Sequence, residues 1–451
     1  MSASSLPTTI TPTTQQSSPS HAAVHSLLHK YANQTYNVTD TAYGAAGDGT
    51  TDDTEEIQGA IDDAAAAGGG RVYLPEGTYV ESGLQMKTGV WLLGDGHAAT
   101  ILKLKDASTA AAISLASAGV HSTRLEAFGI LGNRDNQSSA NARGIYYVNT
   151  GVPIDESGAK HIFRDLHVEY TYGDGVHLNI TDGSCFLENV YVLHSNEKGM
   201  YLNLPDSIFV GCTTGQSGEE GMYIVTRGNN IFIACRSFRS GRVDEAQGDG
   251  YLINSNRNLF FACSAQDNKL HGFDVYQSDQ NFVDGVSDTN GFTTTNSSQA
   301  GFRINAGDNN VIRGLAVNRG PSDLPAGGGN RYSLSLVTSP ENNIVEITSV
   351  SPVTADRNGS AASNRVRINQ DKDAGRSGTG TGTIANGATS ATITHGLDIT
   401  PTLGMIRITL GENPSNTPGA IFVDTIGATT FQVNCENDPG ASGLDFGWSV
   451  S

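Results

Sequence analysis

Residues 199–225 read GMYLNLPDSIFVGCTTGQSGEEGMYIV and contain one complete repeat of this 451-residue chain. The segment that begins at Gly199 returns almost unchanged at Gly221, 22 residues later. Its apolar second and fourth residues alternate with third and fifth residues that face outward, as in a strand with one buried face. Between the two copies, a second apolar segment opens at Phe209. Two strands in a repeat of this length predict a β-solenoid.

The same two segments recur over residues 162–350 at intervals of 24, 23, 23, 28, 22, 29 and 33 residues. Stacking the repeats buries apolar columns that one repeat alone could not bury. The bulky residues that open the first segment are Ile162, Phe186, Phe209, Phe232, Phe260, Phe282, Val311 and Ile344. The glycines that open the second segment are Gly175, Gly199, Gly221, Gly250, Gly272 and Gly301.

Three of the five cysteines occupy the fourth position of successive repeats, at Cys212, Cys235 and Cys263. We interpret them as an inward column of small buried thiols. A zinc site is the alternative, but zinc needs ligands that converge from several directions, which a straight column does not supply. An odd number of cysteines also argues against a complete disulfide framework. No metal site is therefore expected.

A capping segment precedes the repeats at residues 42–79, AYGAAGDGTTDDTEEIQGAIDDAAAAGGGRVYLPEGTY. Asp52 followed by Glu55 is typical of a helix N-terminus, and three glycines at 68–70 predict its end. Arg71 to Tyr79 then reads as strand, turn and strand. The glycine-rich loop at 44–49 lacks the GK[ST] of a phosphate-binding loop, so no nucleotide cofactor is expected. The buried helix positions are predicted at Ile57, Ala60, Ile61 and Ala64.

This capping segment resembles the opening of the pectate-lyase-like superfamily of right-handed parallel β-helix proteins. The superfamily includes many virus tailspikes and some polysaccharide hydrolases and lyases. The resemblance implies an all-β fold in which a short N-terminal helix caps a right-handed parallel β-helix spanning residues 36–370. The cap itself carries no catalytic residue.

Residues 1–35 form a leader rich in Ser, Thr, Pro and Gln that ends in a predicted short helix. His21, His25 and His29 align on one side of that helix. They favour a polar face or an oligomer contact over a metal site, because no acid or cysteine lies among them. The leader resembles the N-terminal attachment segments of virus tail fibres and spikes, which implies contacts with other tail proteins.

Beyond the repeats, residues 371–380 have the composition of a linker. Residues 381–451 alternate short strands with Pro and Gly turns, which predicts a small β-sandwich module. This module resembles the domains that end many phage tail and spike proteins. The resemblance implies a role in trimer assembly or in host contact.

The chain carries 27 basic and 46 acidic residues, a net charge of −19 and a pI of about 4.8. Binding to nucleic acid or to an anionic membrane is therefore not expected. No apolar run is long enough for a membrane span, and the first residues lack the features of a signal peptide. A conventionally secreted enzyme is accordingly disfavoured.

Stacking places the outward residues of the glycine-led strands in columns that form a strip suited to an extended polymer. Sugar rings stack on tyrosine, and their hydroxyls bond to amides and carboxylates. A glycan is thus the predicted ligand. Its candidate binding residues are Tyr201, Tyr223, Asn203, Asn254, Asp274, Tyr276 and Arg303.

Glu220 and Asp249 lie on adjacent repeats, so their carboxyl groups are expected about 5 to 9 Å apart, the range that glycoside hydrolysis requires. Asp174 and His177 form a second candidate catalytic pair. The alternative is that these are ordinary outward polar residues, since Asp-Gly is common in turns. The consecutive aspartates of the polygalacturonase branch are absent, and the calcium acids and arginine base of the lyase branch have no clear match.

Three hypotheses remain at this point. The leading one is a virion tail spike or fibre protein, assembled as a homotrimer, that binds a host-surface polysaccharide and depolymerises it if it is an enzyme. The second is a free polysaccharide hydrolase or lyase. The third is a receptor-binding or structural virion protein without activity.

Overall fold

The computed structural model describes residues 35–149, 160–181, 183–244, 247–291, 299–317, 332–350, 355–358, 363–370, 378–395, 400–411 and 414–450. His21, His25 and His29, and most of the predicted leader and linker, lie outside these residues. Within them the chain is almost entirely β-strand with a single α-helix, as predicted.

The N-terminal elements combine the cap with the first turns of a solenoid. They are β1 (Thr35–Asn37), β2 (Asp48–Asp52), α1 (Thr54–Ala66), β3 (Gly70–Leu74), β4 (Gly77–Glu81), β5 (Leu84–Met86), β6 (Val90–Gly94), β7 (Thr100–Leu104), β8 (Ile113–Leu115), β9 (Arg124–Leu131) and β10 (Ile145–Asn149).

The repeats predicted from the sequence supply the remaining strands of the solenoid. They are β11 (Lys160–Glu169), β12 (Val176–Ile180), β13 (Ser184–Leu193), β14 (Met200–Asn203), β15 (Ile208–Val210), β16 (Thr213–Gly215), β17 (Met222–Val225), β18 (Ile231–Ile233), β19 (Arg236–Phe238), β20 (Tyr251–Asn254), β21 (Leu259–Gln266), β22 (Phe273–Tyr276), β23 (Phe282–Asp288), β24 (Ala300–Asn305), β25 (Val311–Val317), β26 (Tyr332–Val337), β27 (Ile344–Val350), β28 (Ala355–Asn358) and β29 (Arg365–Gln370).

Helix α1 buries the four predicted side chains, and Gly68 and Gly69 beyond its end have φ angles of +90° and +113°. The prediction of the N-cap was wrong by one residue, because Asp53 occupies it and not Asp52. The Asp53 carboxylate turns away from the helix and accepts hydrogen bonds from the amides of Ala46 (2.6 Å) and Gly47 (3.1 Å). This fully buried acid thus joins the glycine-rich loop to the cap.

The solenoid strands form two parallel sheets. Sheet B contains the eleven strands β5, β8, β10, β12, β14, β17, β20, β22, β24, β26 and β28, stacked in that order. Sheet A contains the other eighteen. The parallel β-helix predicted from the sequence is therefore confirmed.

A bend divides sheet A into two surfaces, face A1 before the bend and face A2 after it. On six rungs the residue at the bend has a left-handed backbone with φ between +51° and +63°, which turns the strand direction. Sheet B and the two faces enclose one apolar core. The bend residues are Ala127, Asp165, Asn189, Gly211, Ala234 and Ala262.

Identical or similar side chains stack from rung to rung inside the solenoid. The rings of Phe209, Phe232 and Phe260 are nearly parallel, with successive centroids 4.4 and 4.5 Å apart. Tyr251 stacks on Phe273 in the same way at 4.6 Å. The predicted thiol column is also present, since Cys212, Cys235 and Cys263 are free and buried.

A buried asparagine ladder runs along one corner of the solenoid. The Asn258 Oδ1 atom accepts from the amide (3.1 Å) and the Nδ2 group (3.0 Å) of Asn230. Asn281 receives the same two bonds from Asn258, at 2.9 and 3.0 Å. The pattern continues through Asn310 and Asn343. Each asparagine thereby satisfies polar groups of the preceding rung that water cannot reach.

The eight bulky residues that open the first segment of each repeat do not share one buried column. Phe209, Phe232 and Phe260 point inward, whereas Phe186 pairs with Ile208 and lies on the outer surface of face A1. Ile162, Phe282, Val311 and Ile344 are outward as well. Apolar residues stand at two adjacent positions in these repeats, so hydrophobicity alone does not decide which one faces the core, and a shift of one residue reverses the face.

The last strands form two three-stranded antiparallel sheets around a separate apolar cluster that includes Phe431, Phe446 and Trp448. This arrangement agrees with the predicted β-sandwich, while the domain boundaries remain predictions. The strands are β30 (Gly378–Ile384), β31 (Ser390–Thr394), β32 (Ile406–Leu410), β33 (Ile421–Asp424), β34 (Thr430–Cys435) and β35 (Leu444–Val450).

No helix within the described ranges has the length and apolar character needed to cross a membrane.

We predict that Asn258→Ala lowers the free energy of unfolding by about 2–3 kcal/mol, because it leaves buried polar groups of Asn230 without their acceptor. Urea unfolding followed by circular dichroism measures this difference. Asn254→Ala, at a half-exposed position of β20, is the control and should change stability much less. Equal losses in the two variants would contradict a stabilising role for the ladder.

Candidate active site

The outer face of sheet B carries the column of side chains predicted from the glycine-led strands. Strands β12, β14, β17, β20, β22 and β24 pair in parallel with their third residues in register. Neighbouring rungs are about 4.8 Å apart, so these side chains form a continuous strip. The strip contains His177, Tyr201, Tyr223, Leu252, Asp274 and Arg303.

The residues that precede the glycines form a second column beside the strip. The Gly199 amide donates to the Glu220 carbonyl (3.0 Å) and the Gly221 amide to the Asp249 carbonyl (2.9 Å). Glycine is required here, because a Cβ atom at Gly221 would lie 1.8 Å from the Ser237 hydroxyl. Successive rungs of this column carry Lys198, Glu220, Asp249 and His271.

The two columns border a cavity of about 310 Å³ on sheet B. Its lining combines acids, a histidine, an arginine, an amide and two tyrosines, which is the mixture expected for a sugar site. The lining residues are Glu220, Tyr223, Asp249, Leu252, Asn254, Leu270, His271, Asp274, Tyr276 and Arg303.

Asp274 and Arg303 form a two-pronged ion pair on the floor of the cavity. The Arg303 Nε atom donates to Asp274 Oδ1 at 2.8 Å, and a second guanidinium nitrogen contacts Oδ2. Asp274 is fully buried, and burial raises its pKa while Arg303 opposes that shift. Both oxygens of the Asp274 carboxylate contact Arg303, so Asp274 holds the guanidinium group in one orientation.

Asp249 is the acid with the most strongly perturbed environment in the cavity. It is 4% exposed, and burial followed by the charge of Asp274 raises its pKa well above the ordinary value. Its Oδ1 atom accepts from the His271 amide at 2.8 Å. The His271 Nδ1 atom accepts from the Ala300 amide at 2.9 Å, so the ring proton resides on Nε2. Burial lowers the pKa of His271, which keeps the ring neutral.

Glu220 lies one rung away from Asp249 and beside a lysine. The Lys198 Nζ atom is 3.4 Å from the Glu220 carboxylate and also contacts Glu219. Burial raises the pKa of Glu220, and the Lys198 charge opposes that rise. Burial lowers the pKa of Lys198, but the two carboxylates outweigh it and raise that pKa overall. Lys198 also lies 5.7 Å from the centre of the Tyr223 ring.

Asp174 and His177 form a hydrogen-bonded pair on the rungs before the cavity. The distance from His177 Nδ1 to Asp174 Oδ2 is 2.7 Å, and the Arg143 Nε atom is 3.5 Å from the same oxygen. Because a carboxylate only accepts, the His177 Nδ1 atom donates, and in the neutral ring Nε2 is then the nitrogen that carries the lone pair. The His177 ring stacks on Tyr201 at 4.2 Å and lies 5.0 Å from Tyr146.

The structure divides the candidate residues into two neighbouring groups. Seven line the cavity, namely Glu220, Asp249, Tyr223, Asn254, Asp274, Tyr276 and Arg303. Four lie on the preceding rungs, namely Asp174, His177, Tyr201 and Asn203, with Asn203 donating to Asn179 at 2.9 Å. The catalytic and binding roles of all eleven remain proposals.

Sequence reasoning did not select Arg143, Tyr146, Lys198 or His271 as site residues. The glycine-strand pattern could have found them all. Arg143 and Tyr146 hold the pre-glycine and third positions of the earlier copy RGIYY, and β10 pairs with β12 in that register. Lys198 and His271 also precede glycines of the pattern. What the pattern did not give was their contacts with Asp174, Glu220 and Asp249.

The described residues contain no group of three or more His, Cys, Asp or Glu side chains arranged to hold a metal ion.

Two family models match the chain. The first, described as rhamnogalacturonase A/epimerase, pectate lyase-like, matches residues 35–237. The second, described as a right-handed β-helix region, matches residues 150–346. Together they cover the solenoid from its cap to β27. Both matches agree with the right-handed parallel β-helix fold of this chain.

Solved structures agree with this β-helix assignment. A mannuronan C-5 epimerase A-module of Azotobacter vinelandii superimposes with a TM-score of 0.58 at 20% identity, covering 74% of this chain and 99% of that module. The full-length tailspike protein 2 of a bacteriophage of Escherichia coli O157:H7 gives a TM-score of 0.61 at 15% identity, covering 89% and 62%. At such identities the likeness concerns the fold alone.

Among curated proteins, alginate lyase 7 of Azotobacter vinelandii is 33% identical over 219 residues, which is 44% of this chain and 24% of that protein. The β-helix chain thus spans about a quarter of the length of this relative.

We predict that Asp249→Asn stabilises the protein at pH 7. The pKa of Asp249 is raised in the folded state, so the carboxyl group ionises first in the unfolded state as the pH rises above about 3.9. The free energy of unfolding therefore falls until the pH passes the folded-state pKa. An asparagine cannot ionise, so the gain over wild type should shrink towards pH 4. Urea unfolding at both pH values measures it, with the exposed Asp284→Asn as control. An equal effect of Asp249→Asn at both pH values would contradict a raised pKa of Asp249 in the folded state.

Proposed function

We propose that the protein binds an extended polysaccharide along the outer face of sheet B and hydrolyses it at Glu220 and Asp249. The observation that carries the proposal is the cavity on this face. It combines two nearly buried carboxyl groups on adjacent rungs with tyrosine rings and hydrogen-bonding side chains. A solenoid with one side-chain set per rung suits a polymer, because successive sugars meet successive rungs.

Binding is assigned to the rings and polar groups around the acids. Tyr223 and Tyr276 provide surfaces on which sugar rings stack. Asn254 offers an amide to hydroxyl groups, and Arg303, held in place by Asp274, offers guanidinium donors. Tyr201 and Asn203 extend the same surface along the preceding rungs.

Asp249 is assigned as the general acid. Its raised pKa keeps the carboxyl group protonated at a higher pH than an exposed aspartate, so that it has a proton to give to the leaving oxygen. Glu220 is assigned as the ionised partner, because the Lys198 ammonium group 3.4 Å away stabilises its charge. As a base it would activate water, and as a nucleophile it would attack the anomeric carbon. The separation of the two carboxyl groups in the bound complex would decide between these routes.

We predict that Glu220→Gln and Asp249→Asn each lower the rate of polymer cleavage by at least about 100-fold, because each removes one of the two acids. The substrates are a panel of bacterial capsular and extracellular polysaccharides, alginate included. Size-exclusion chromatography and new reducing ends measure cleavage. Glu346→Gln on the opposite sheet is the control and should retain wild-type rate.

Cleavage that persists in both variants would reject these two residues and leave a polysaccharide-cleaving protein with a different site. Binding without any change in polymer length would instead favour a receptor-binding scaffold.

A second candidate function is β-elimination in a polymer of uronic acids, at the pair Asp174 and His177. The observation in its favour is that the Nε2 atom of a neutral His177 ring is available as a base beside the cation Arg143, which could balance a sugar carboxylate. The name of the relative alginate lyase 7 agrees with such a substrate. Elimination breaks the glycosidic bond and leaves a double bond in the product.

For this candidate we predict that His177→Ala abolishes the ultraviolet absorbance gained when alginate is cleaved, whereas Glu220→Gln does not. Removal of the base stops proton abstraction, while the acid pair lies on later rungs. Products with reducing ends and no ultraviolet absorbance would exclude elimination and favour hydrolysis.

We further propose that the protein acts as a tail spike or fibre on a virion and assembles as a homotrimer. Its N-terminal leader would bind other tail proteins, and the cavity on sheet B would bind a host-surface glycan. The composition of residues 1–35 and the C-terminal pair of sheets support this proposal. The likeness to a phage tailspike agrees with it. A free extracellular polysaccharide hydrolase or lyase is the alternative, and detection of the chain in purified virions separates the two.

A further inference from the structure

An apolar column runs along the outside of face A1, where a solvated solenoid would carry polar residues. One apolar side chain occupies this column on each of eight successive rungs, and the strands pair in register along its length. At about 4.8 Å per rung, the column is roughly 34 Å long. It consists of Ile162, Phe186, Ile208, Ile231, Leu259, Phe282, Val311 and Ile344.

A second outward column widens this surface at the middle rungs. Val210, Ile233 and Phe261 are in-register neighbours, two positions beyond the first column. Ile233 is 39% exposed and Phe261 38%, while Ile344 in the first column is 47% exposed. We call these two columns together the apolar strip. A contiguous apolar surface of this extent on a soluble chain indicates an interaction site.

Charged side chains border the strip, and their charges are balanced. Before the middle rungs, Glu126 contacts Arg124 (2.6 Å), and Arg164 lies between Glu126 (3.9 Å) and Glu188 (2.6 Å). Beyond them, Glu346 lies 3.5 Å from Arg367 on the next rung. The rim therefore alternates in sign, although the whole chain carries a net charge of −19.

We propose that the apolar strip is the surface through which copies of this chain associate side by side, with their solenoid axes parallel. The partner is a second copy for two reasons. An identical strip has the same rung spacing, so its side chains meet those of its partner at every rung along the full length. Two copies with this net charge repel each other over most of their surface, and the strip with its balanced rim is where that repulsion is least.

The position of the apolar strip leaves the cavity on sheet B open. The strip lies on face A1 of sheet A, whereas the candidate active site lies on sheet B. Parallel copies with their strips at a common axis would thus keep each sheet B accessible to a polymer. The inference names the contact surface of the proposed homotrimer, and it does not depend on polysaccharide cleavage.

The test compares the oligomeric state of the full chain with that of Ile233→Asp/Phe261→Asp, using light scattering after size-exclusion chromatography and sedimentation velocity over a range of concentrations. Both side chains are exposed, so the substitutions should leave the solenoid folded, which circular dichroism verifies. We expect wild type to be an oligomer. The double variant should dissociate with a dissociation constant raised by roughly 30-fold or more, since it places charges in the centre of the contact.

Thr348→Asp on face A2 is the matched control, because Thr348 is also exposed and stands in register with Ser264, beyond the bend at Ala262. It should assemble like wild type. A monomeric wild type at micromolar concentration would overturn the proposal, and chemical cross-links from residues 1–34 to the strip would then identify the leader as its cover. An oligomer that survives in the folded double variant would overturn it too. Neither result bears on cleavage, which is assayed separately.

Discussion

The register of parallel strands between neighbouring rungs is the constraint on which the rest of the structure depends. Hydrogen bonds between rungs place each residue directly above its counterpart, so a repeat along the chain becomes a column in space. The columns that result are homogeneous: phenylalanine on phenylalanine, cysteine near cysteine, asparagine on asparagine. The asparagine ladder adds side-chain bonds that a register slip would break, because each amide fits one position of the next rung.

The candidate active site follows from the same register. No short sequence motif joins Lys198, Glu220, Asp249 and His271, which are more than twenty residues apart, yet the ladder stacks them as near neighbours. Burial against the core then gives these groups unusual protonation. The pKa of Asp249 is raised and the pKa of His271 is lowered, both primarily because the charged form loses hydration. A stacked solenoid can thus assemble an acid pair from residues that are unremarkable in sequence.

Sheet B and face A1 of the solenoid differ in the chemistry of their outer surfaces. Sheet B carries acids, cations and tyrosines around a cavity, and face A1 carries the apolar strip with a rim of balanced charge. Under the proposed function, this separation would let one surface contact a polymer while another contacts a second copy of the chain. Glycine permits it on the sheet B side, where the close approach of the Ser237 hydroxyl to Gly221 leaves no space for a side chain.

The sequence alone determined the solenoid, its cap and the outward columns of sheet B. Period and glycine position are local properties, and the register of His177, Tyr201 and Tyr223 followed directly from them. The buried face of α1 followed in the same way from its helical spacing.

Tertiary structure decided the features that depend on which neighbour a group meets. It turned the Asp53 carboxylate into the loop at Ala46, and it paired Asp274 with Arg303. It also placed Phe186 outside and Phe209 inside, because both positions are apolar and only the register of the neighbouring rung distinguishes them. The hydrophobic pattern of the sequence indicates that a residue is buried, whereas tertiary packing determines which residues it is buried against.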